Sequence, residues 1–452
     1  MVHEGLLTLL GWLEVLRPAL TSPSFDNMLV LFAGWVQTCG THAVTQALVV
    51  TSVAGRRHHE AFHRFFSRGT WSPDEMGRLL FGAILALLPL GCAVRVVIDD
   101  TLASKKGEHV FGIGCHLDAV RSTKRQKIFS FGHCWVVLAV LVPVPFSHRA
   151  WALPVLFRLY RTVKECEAKQ QPHQKKTELA RELLTLMVGW VGERRLEVAA
   201  DAAYCNDTVL RGQPKSVVLF GAMRPDAVLT APPPKSTGRG GRPRVRGEVL
   251  AKPEQLAENH RVSWQKCQAD LYGKRRTVEY KACVAQWYRP CGTRLVRAVV
   301  VKVEGGAISL RVFFCTDATR SVREILEGYG ERWAIEICFR DLKQLLGFAD
   351  SSARKEAAVQ RTAPFVGFVY TTLVLWFARG VHQCSFAAPP LRPWYPHKRG
   401  MSFADVLRAA QRVLVSLDVL DPGRSLDNLR ETQTRAPSGP TIRLGADLLR
   451  RA

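Results

Sequence analysis

The sequence predicts a mixed α/β fold preceded by a helical N-terminal region, and three observations carry that prediction. Apolar residues recur at helical spacing through the first 94 positions. From 95 the period shifts to two, or to unbroken apolar runs, which is the mark of strands. Helical spacing returns after 321. With 452 residues, 47% of them hydrophobic, the chain can bury a sizeable core and is long enough for more than one domain.

Each element follows from its local pattern. "NMLVLFAGWVQTCGTHAVTQALVV" has helical periodicity, and "TWSPDEMGRLLFGAILALL" opens on Ser72, Pro73, Asp74 and Glu75, a helix-start signal. Between them, "GRRHHEAFHRFFSRG" interleaves Arg and His with Phe62, Phe65 and Phe66. It reads equally as a solvated basic face over a phenylalanine core or as a DNA-contacting helix. "VRVVIDDT", "HVFGIGCHLD", "HCWVVLAVLVPV" and "LEVAADAAYC" predict strands, and an amphipathic helix lies between the last two, over "QPHQKKTELARELLTLMVGWVGE". Strands punctuated by a helix imply a mixed sheet with at least one covered face.

Residues 230–247, "TAPPPKSTGRGGRPRVRG", are rich in Pro and Gly. Lys235, Arg239, Arg242, Arg244 and Arg246 meet no acid there, which predicts a flexible basic loop. Its "GGRPR" core, with Arg242 and Arg244, has the make-up of a minor-groove hook, a solvated linker being the plainer reading. The segments "RRTVEYKACVAQWYR", "RLVRAVVVKVEG" and "AISLRVFFCTD" then predict a β-rich insertion. The expected boundaries are a helical region at 1–94 and the first part of a mixed-sheet core at 95–229. The basic loop and insertion take 230–316, the last part of the core 317–384, and a proline-broken linker with a helical tail 385–452.

Lys and Arg number 63 against 39 acids, a net charge of +24. That balance favours a polyanionic partner, nucleic acid first and an anionic membrane surface second. The longest apolar runs, 79–94 and 134–146, fall short of the roughly 20 residues a spanning helix needs. Twelve cysteines are scattered with no C-x-x-C pair, which argues against zinc and for reduced thiols. The N-terminal stretch carries Glu4 and Glu14 and no basic segment, unlike a signal peptide. A cytoplasmic protein with no membrane partner is expected.

Two apolar strands end on carboxylates: "VRVVIDDT" on Asp99 and Asp100, and "LEVAAD" on Asp201. Alternation sends Asp99 and Asp100 to opposite faces. Acids that terminate buried strands are expensive unless paired or bound to metal. In "YGERWAIEICFRDLKQLLGF", Tyr329, Arg332, Glu336 and Lys343 are spaced three, four and seven apart. On one helix they share a narrow stripe, which a core-facing helix would give to aliphatic residues. Alone, this is also what a surface face with an Arg332–Glu336 ion pair looks like. Three carboxylates converging from two strand ends and a helix are what a two-metal Mg²⁺ site needs.

Asp100 in "IDDT", Asp201 in "AADAAY" and Glu336 in "YGERWAIEICFRDLK", taken with the Y-x₂-R-x₃-E-x₆-K spacing of Tyr329, Arg332, Glu336 and Lys343, resemble the DDE transposases of bacterial insertion sequences. More narrowly, they resemble the cut-and-paste group with the Tyr–Arg–Glu–Lys signature. The resemblance covers roughly residues 95 to 380. It implies an RNase H-like catalytic core interrupted by the β-rich insertion. It also implies that Asp100, Asp201 and Glu336 bind two Mg²⁺ ions, Mn²⁺ being able to substitute. Asp100 is selected over Asp99 because the family's first acid precedes a Thr or Ser. The implied partners are double-stranded DNA, both terminal inverted repeats and target DNA, and a second copy of the chain in the DNA complex. The implied reaction cuts DNA at the element's ends, through hairpin intermediates, and joins them to target DNA. Arg332 and Lys343 would contact phosphates of the cut end, and Tyr329 would position it. A tryptophan of the insertion, Trp287 or Trp264, would stack a flipped base, a core role being the default for either. His133 is expected to be structural, and Asp317 to cap the helix that follows it.

The rivals are another nuclease of the same fold class, which would lack the stripe, and a derivative that binds DNA without cutting. A peripheral membrane protein would need a basic amphipathic helix with a clean apolar face, and none stands out.

Overall fold

In the computed structural model, which describes residues 2–415 except 56, 108, 124, 235–243, 303–309 and 396–399, the apolar run before the paired aspartates becomes an inner strand of a ten-stranded sheet. Five helices precede it: α1 (Val2–Glu14), α2 (Ser22–Gln37), α3 (Val44–Val50), α4 (Glu60–Ser67) and α5 (Pro73–Leu85). The core then runs through β1 (Val94–Ser104), β2 (Gly114–Leu117), β3 (Phe129–Pro143), β4 (Ala150–Tyr160), α6 (Val163–Ala168), α7 (Lys176–Val191), β5 (Leu196–Ala200), α8 (Asp207–Leu210) and β6 (Val217–Met223). Next come α9 (Pro253–Glu258), β7 (Gln265–Leu271), β8 (Lys274–Gln286), α10 (Tyr288–Cys291), β9 (Leu295–Lys302) and β10 (Arg311–Cys315). The chain continues through α11 (Val322–Gly330), α12 (Trp333–Leu345), α13 (Glu356–Ala378) and α14 (Phe403–Val415).

The strand order is β2-β3-β1-β5-β6-β10-β9-β8-β7, with β4 pairing on β3. β1 is antiparallel to β3 and parallel to β5, with Ile98 opposite Ala200. Asp99 and Asp201 therefore follow in register at the same end of two adjacent strands. The strands of the predicted insertion share the sheet, because β10 pairs with both β6 and β9. A large mixed sheet with helices against it is the observed architecture.

Some expectations need correction. "HVFGIGCHLD" is strand only over Gly114–Leu117. β4 and β6 were not among the expected strands, although both are nearly continuous apolar runs of the kind that marks buried strands. β4 also contains Pro154, which argues against an inner strand. The structure accommodates Pro154 at a register shift opposite Leu138 and Ala139, and its carbonyl accepts a hydrogen bond from Thr371 Oγ1 at 2.9 Å. The stripe at 329–343 does not lie on one helix. α11 ends at Gly330 and α12 begins at Trp333, although Glu331 and Arg332 keep right-handed helical dihedrals. The ladder there tightens to i→i+3 bonds, Ala334 N to Glu331 O and Ile335 N to Arg332 O. Asp317 does not cap α11. Ser321 does, in a capping box with Glu324, while Asp317 binds Thr319 and Arg195.

The N-terminal helices pack into the body of the protein. In α4, Phe62, Phe65 and Phe66 are buried, and the rings of Phe65 and Phe66 meet Phe365 of α13 at 6.1 and 5.3 Å. Trp35 of α2 donates its indole N–H to Leu346 O at 3.0 Å, and Trp376 of α13 donates to Gly5 O at 2.9 Å. Among the described residues no helix is long and apolar enough to cross a membrane. All twelve cysteines are unpaired.

α5 crosses β4 at Gly77, where an added Cβ would stand 2.0 Å from the Val155 carbonyl oxygen. Gly77→Ala is expected to cost about 1–3 kcal/mol, since backbone has to move. Gly82→Ala, on the open side of the same helix, should be neutral or stabilising by up to about 1 kcal/mol. Thermal unfolding of the two variants measures the difference. Equal midpoints would contradict the close α5–β4 approach.

Candidate active site

The charged end of β1 is divided between two neighbourhoods, as alternation requires. Arg95 and Asp99 face the junction of α11 and α12, where Arg95 pairs with Glu331 and Asp99 with Arg332. The Arg332 guanidinium bridges two carboxylates, with Nη1 at 2.6 Å from Asp99 Oδ2 and Nη2 at 2.8 Å from Glu336 Oε1. It sits 5.8 Å from the centre of the Tyr329 ring, which itself packs on Phe313 at 4.7 Å. The break between α11 and α12 is what turns Arg332 toward the sheet.

Burial raises the Asp99 carboxyl to about 7, against the opposing charge of Arg332, with Asp100 and Asp201 adding to the rise. Burial also opposes the charge of Arg332, but Asp99, Tyr329, Glu336 and Asp201 together hold it firmly protonated. These mutual influences place Asp99, Asp201, Tyr329, Arg332 and Glu336 in one electrostatic cluster. Asp201 ends β5 and leads into a short 3₁₀ turn at Ala202–Tyr204.

Asp100 faces α7. Lys176 Nζ approaches its Oδ2 at 2.7 Å, the Tyr204 hydroxyl donates to Oδ1 at 2.7 Å, and the Cys134 thiol donates to Oδ2 at 3.3 Å. Burial alone would raise this carboxyl, yet Lys176, Tyr204 and Cys134 hold it below its ordinary range. Lys176 is the first residue of α7, in the segment read from sequence as an amphipathic helix. Its pairing partner lies 76 residues away, so no local pattern could have revealed it.

The residues expected to share a function are thus only partly gathered. Asp99 joins Arg332 and Glu336, whereas Asp100, the acid favoured by the Thr that follows it, lies on the other face. Lys343 is half-buried, and burial lowers its pKa against the opposing charge of Asp118. It has no hydrogen-bond or ion partner among the described residues. Trp287 packs edge-on against Phe314 at 4.9 Å, and Trp264 lies under Lys281 Nζ at 4.8 Å. Both rings have the core contacts that are the default for tryptophan. His133 Nε2 donates to Phe111 O, 2.9 Å away, and burial lowers the pKa of the ring to about 4. Arg244 is exposed. Arg242 and the segment of the basic loop from 235 to 243 lie outside the described residues, as does the tail beyond 415.

Among the described residues no three His, Cys, Asp or Glu side chains are grouped to hold a metal ion. The donor chemistry nevertheless suits a hard cation, since Asp99, Asp201 and Glu336 offer carboxylate oxygens at a partly buried strand end. Arg332 takes the position between two of them. A cation shared by Asp99 and Glu336 requires the guanidinium to give way.

A family model described as DDE superfamily endonuclease matches residues 16–282, well over half of the chain. The match includes the ends of β1 and β5 and stops before Glu336. Among solved structures, the chain is similar to a piggyBac transposase in a synaptic complex with hairpin DNA, at 11% sequence identity and a TM-score of 0.41. That likeness covers 94% of this chain and 79% of the other. No curated protein sequence matches.

Because Asp99 has a folded pKa near 7, raised from 3.8, its contribution to stability is present at low pH and lost as pH rises toward and through 7. In chelator-containing buffer, Asp99→Asn is therefore expected to be more stable than the parent at pH 8, by roughly 1–3 kcal/mol. The gap should close as pH falls toward 4. A variant less stable at pH 8 would show that the Arg332 ion pair outweighs burial.

Proposed function

The chain belongs to the DDE superfamily endonucleases, and on that premise we propose that it is the transposase of an insertion sequence, of the cut-and-paste group with the Tyr–Arg–Glu–Lys signature. It would cleave DNA at terminal inverted repeats and join the ends to target DNA, with hairpin ends as the second-strand route. The observation that carries this reading is the Arg332 bridge. It joins Glu336 to the acid end of β1, with Arg332 itself 233 residues from Asp99 in sequence and Asp201 in register beside them. The adjacent parallel strands β1 and β5, both ending on acids inside a mixed sheet, are the reason for proposing an RNase H-like core.

In this reading the metal-holding acids are Asp201, Glu336 and one of the β1 aspartates. Asp100 is the choice by resemblance, and Asp99 the choice by its place beside Arg332 and Asp201. Two divalent ions, Mg²⁺ or Mn²⁺, would supply an activated hydroxyl and stabilise the leaving 3′ oxygen. The protein's own share is positioning. A backbone phosphate entering beside Arg332 offers the guanidinium a bidentate anionic partner in exchange for its carboxylates, with Lys343 reaching a phosphate farther along the strand. That exchange leaves Asp99 and Glu336 available as oxygen donors. Tyr329, fixed against Phe313, holds the guanidinium's approach.

The division of the chain proposed from sequence goes with this function. Residues 1–94 would recognise the terminal repeats, 95–229 and 317–384 form the catalytic core, 230–316 covers the DNA end with Arg242, Arg244 and Trp287 among its contacts, and 385–452 forms a linker and tail. A homodimer on paired ends and a cytoplasmic location complete the proposal.

The test uses the DNA flanking this gene as substrate for purified protein with Mg²⁺ or Mn²⁺. Asp201→Asn and Glu336→Gln are expected to lose at least about 10²-fold in cleavage while retaining DNA binding. Of Asp99→Asn and Asp100→Asn, the one that matches that loss identifies the third acid. Denaturing gels distinguish hairpins from open ends. Binding with no metal-dependent cleavage by the parent chain would mean a DNA-binding derivative, and the nuclease reading would fall.

A further inference from the structure

The ribbon formed by β2 and the start of β3 has two unlike faces. Its register pairs Cys115 with Phe131, His116 with Ser130 and Leu117 with Phe129. Alternation puts His116 and Ser130 on the inner side, with His116 and Asp118 buried. The His116 ring lies 5.7 Å from that of Tyr160, over which Lys176 Nζ sits at 5.5 Å, so the inner side faces the Asp100–Lys176 pair.

The outer side is apolar and open. Phe129 is 62% exposed, Phe131 63% and Leu117 47%, beside an exposed Cys115, and Val120 in the turn is 91% exposed. Single exposed apolar residues are ordinary, but a contiguous strip of them marks an interaction surface. The tip, residues 119–128, carries Arg121, Lys124, Arg125 and Lys127 with no acid. Arg121, Arg125 and Lys127 are exposed, and none of the three side chains has a hydrogen-bond or ion partner among the described residues. The tip is built to hold its shape. Ser122 N bonds Asp118 O at 2.9 Å, and Ser122 Oγ accepts from Ile128 N at 2.9 Å. Asp118 is itself satisfied by Ser130 Oγ and Arg121 N, both at 3.1 Å, and takes no part in the outer charge.

Resting on the proposed transposase reading, we infer that this ribbon is a duplex-DNA contact of its own, distinct from the Tyr329–Lys343 segment and from the basic loop at 230–247. The cations of the tip would lie along phosphates, and Phe129 and Phe131 would press against sugars and base edges of a groove. Charge selects this occupant over a second copy of the chain. Two such faces brought together would oppose like charges at the tips, whereas a duplex neutralises them. The bound segment would lie on the Asp100–Lys176 side of β1.

Two variants of the full-length protein separate the terms: Arg121→Gln/Arg125→Gln/Lys127→Gln and Phe129→Ala/Phe131→Ala. Affinity for a 40-base-pair duplex carrying the flanking end is read by fluorescence anisotropy across a salt series. Losing three phosphate contacts should flatten the slope of log K against log salt by about 2–3. The phenylalanine variant should bind at least several-fold more weakly with the slope unchanged. Thermal unfolding of both should match the parent, since the side chains are exposed. If both variants bind with the parent's affinity and slope while the parent binds and cleaves, the ribbon inference is wrong and the transposase reading stands. If sedimentation shows that the phenylalanine variant has lost self-association while keeping DNA affinity, the face is a protein interface, and the inference is equally overturned. A parent chain that binds no duplex at all would instead overturn the function on which the inference rests.

Discussion

Everything around the candidate site follows from the way β1 ends. Val96, Val97 and Ile98 are wholly buried, and the next two residues are carboxylates that pleating must send to opposite faces. A buried carboxylate without a partner costs several kcal/mol, so each face needs its own cation. On one side the need is met from the N-terminus of α7, and on the other from the break between α11 and α12. The two cations reach their aspartates from 76 and 233 residues away. The positions of three helices relative to the sheet are therefore tied to one pair of adjacent acids.

The same logic explains why the β-rich segment after 230 matters to the site. Val218, Phe220, Val299, Val301 and Cys315 form a second apolar cluster with Val322, Ile325 and Leu326 of α11. α11 is thus seated on strands β6, β9 and β10, and its C-terminal end fixes where the chain turns into Arg332. The inserted strands help aim the guanidinium, in addition to any contact they make with a ligand.

What could be read in the sequence was whatever local pattern determines. β1 and β5 announced themselves by apolar runs ending on acids, and the helix over 176–191 by its amphipathic period. The spacing of Tyr329, Arg332, Glu336 and Lys343 pointed to a shared task, which the structure bears on only for the first three. The rest depended on tertiary choices. Alternation dictates that Asp99 and Asp100 part company, yet which helix covers which face is set by crossovers far along the chain. β4 contains Pro154, which is tolerable in a strand that pairs on one side only. The break at Glu331 and Arg332 leaves no mark in composition, since neither residue is a helix breaker and both remain in helical dihedrals.

The hydrogen bonds that join the two ends of the chain bear on how the protein is made. Trp35 finds its acceptor at Leu346, and Trp376 finds one of its acceptors at Gly5. During synthesis the first five helices thus emerge with apolar faces whose partners in α13 and α14 are more than 250 residues behind them. At roughly 5–20 residues per second, that interval lasts tens of seconds. For that time the nascent N-terminal region must be shielded by chaperones or by provisional packing of its own, and a prematurely terminated chain would present the same unmet surface permanently. Full-length translation is in this sense a precondition for the N-terminal helices to reach their final packing, which makes truncated products prone to aggregation and clearance.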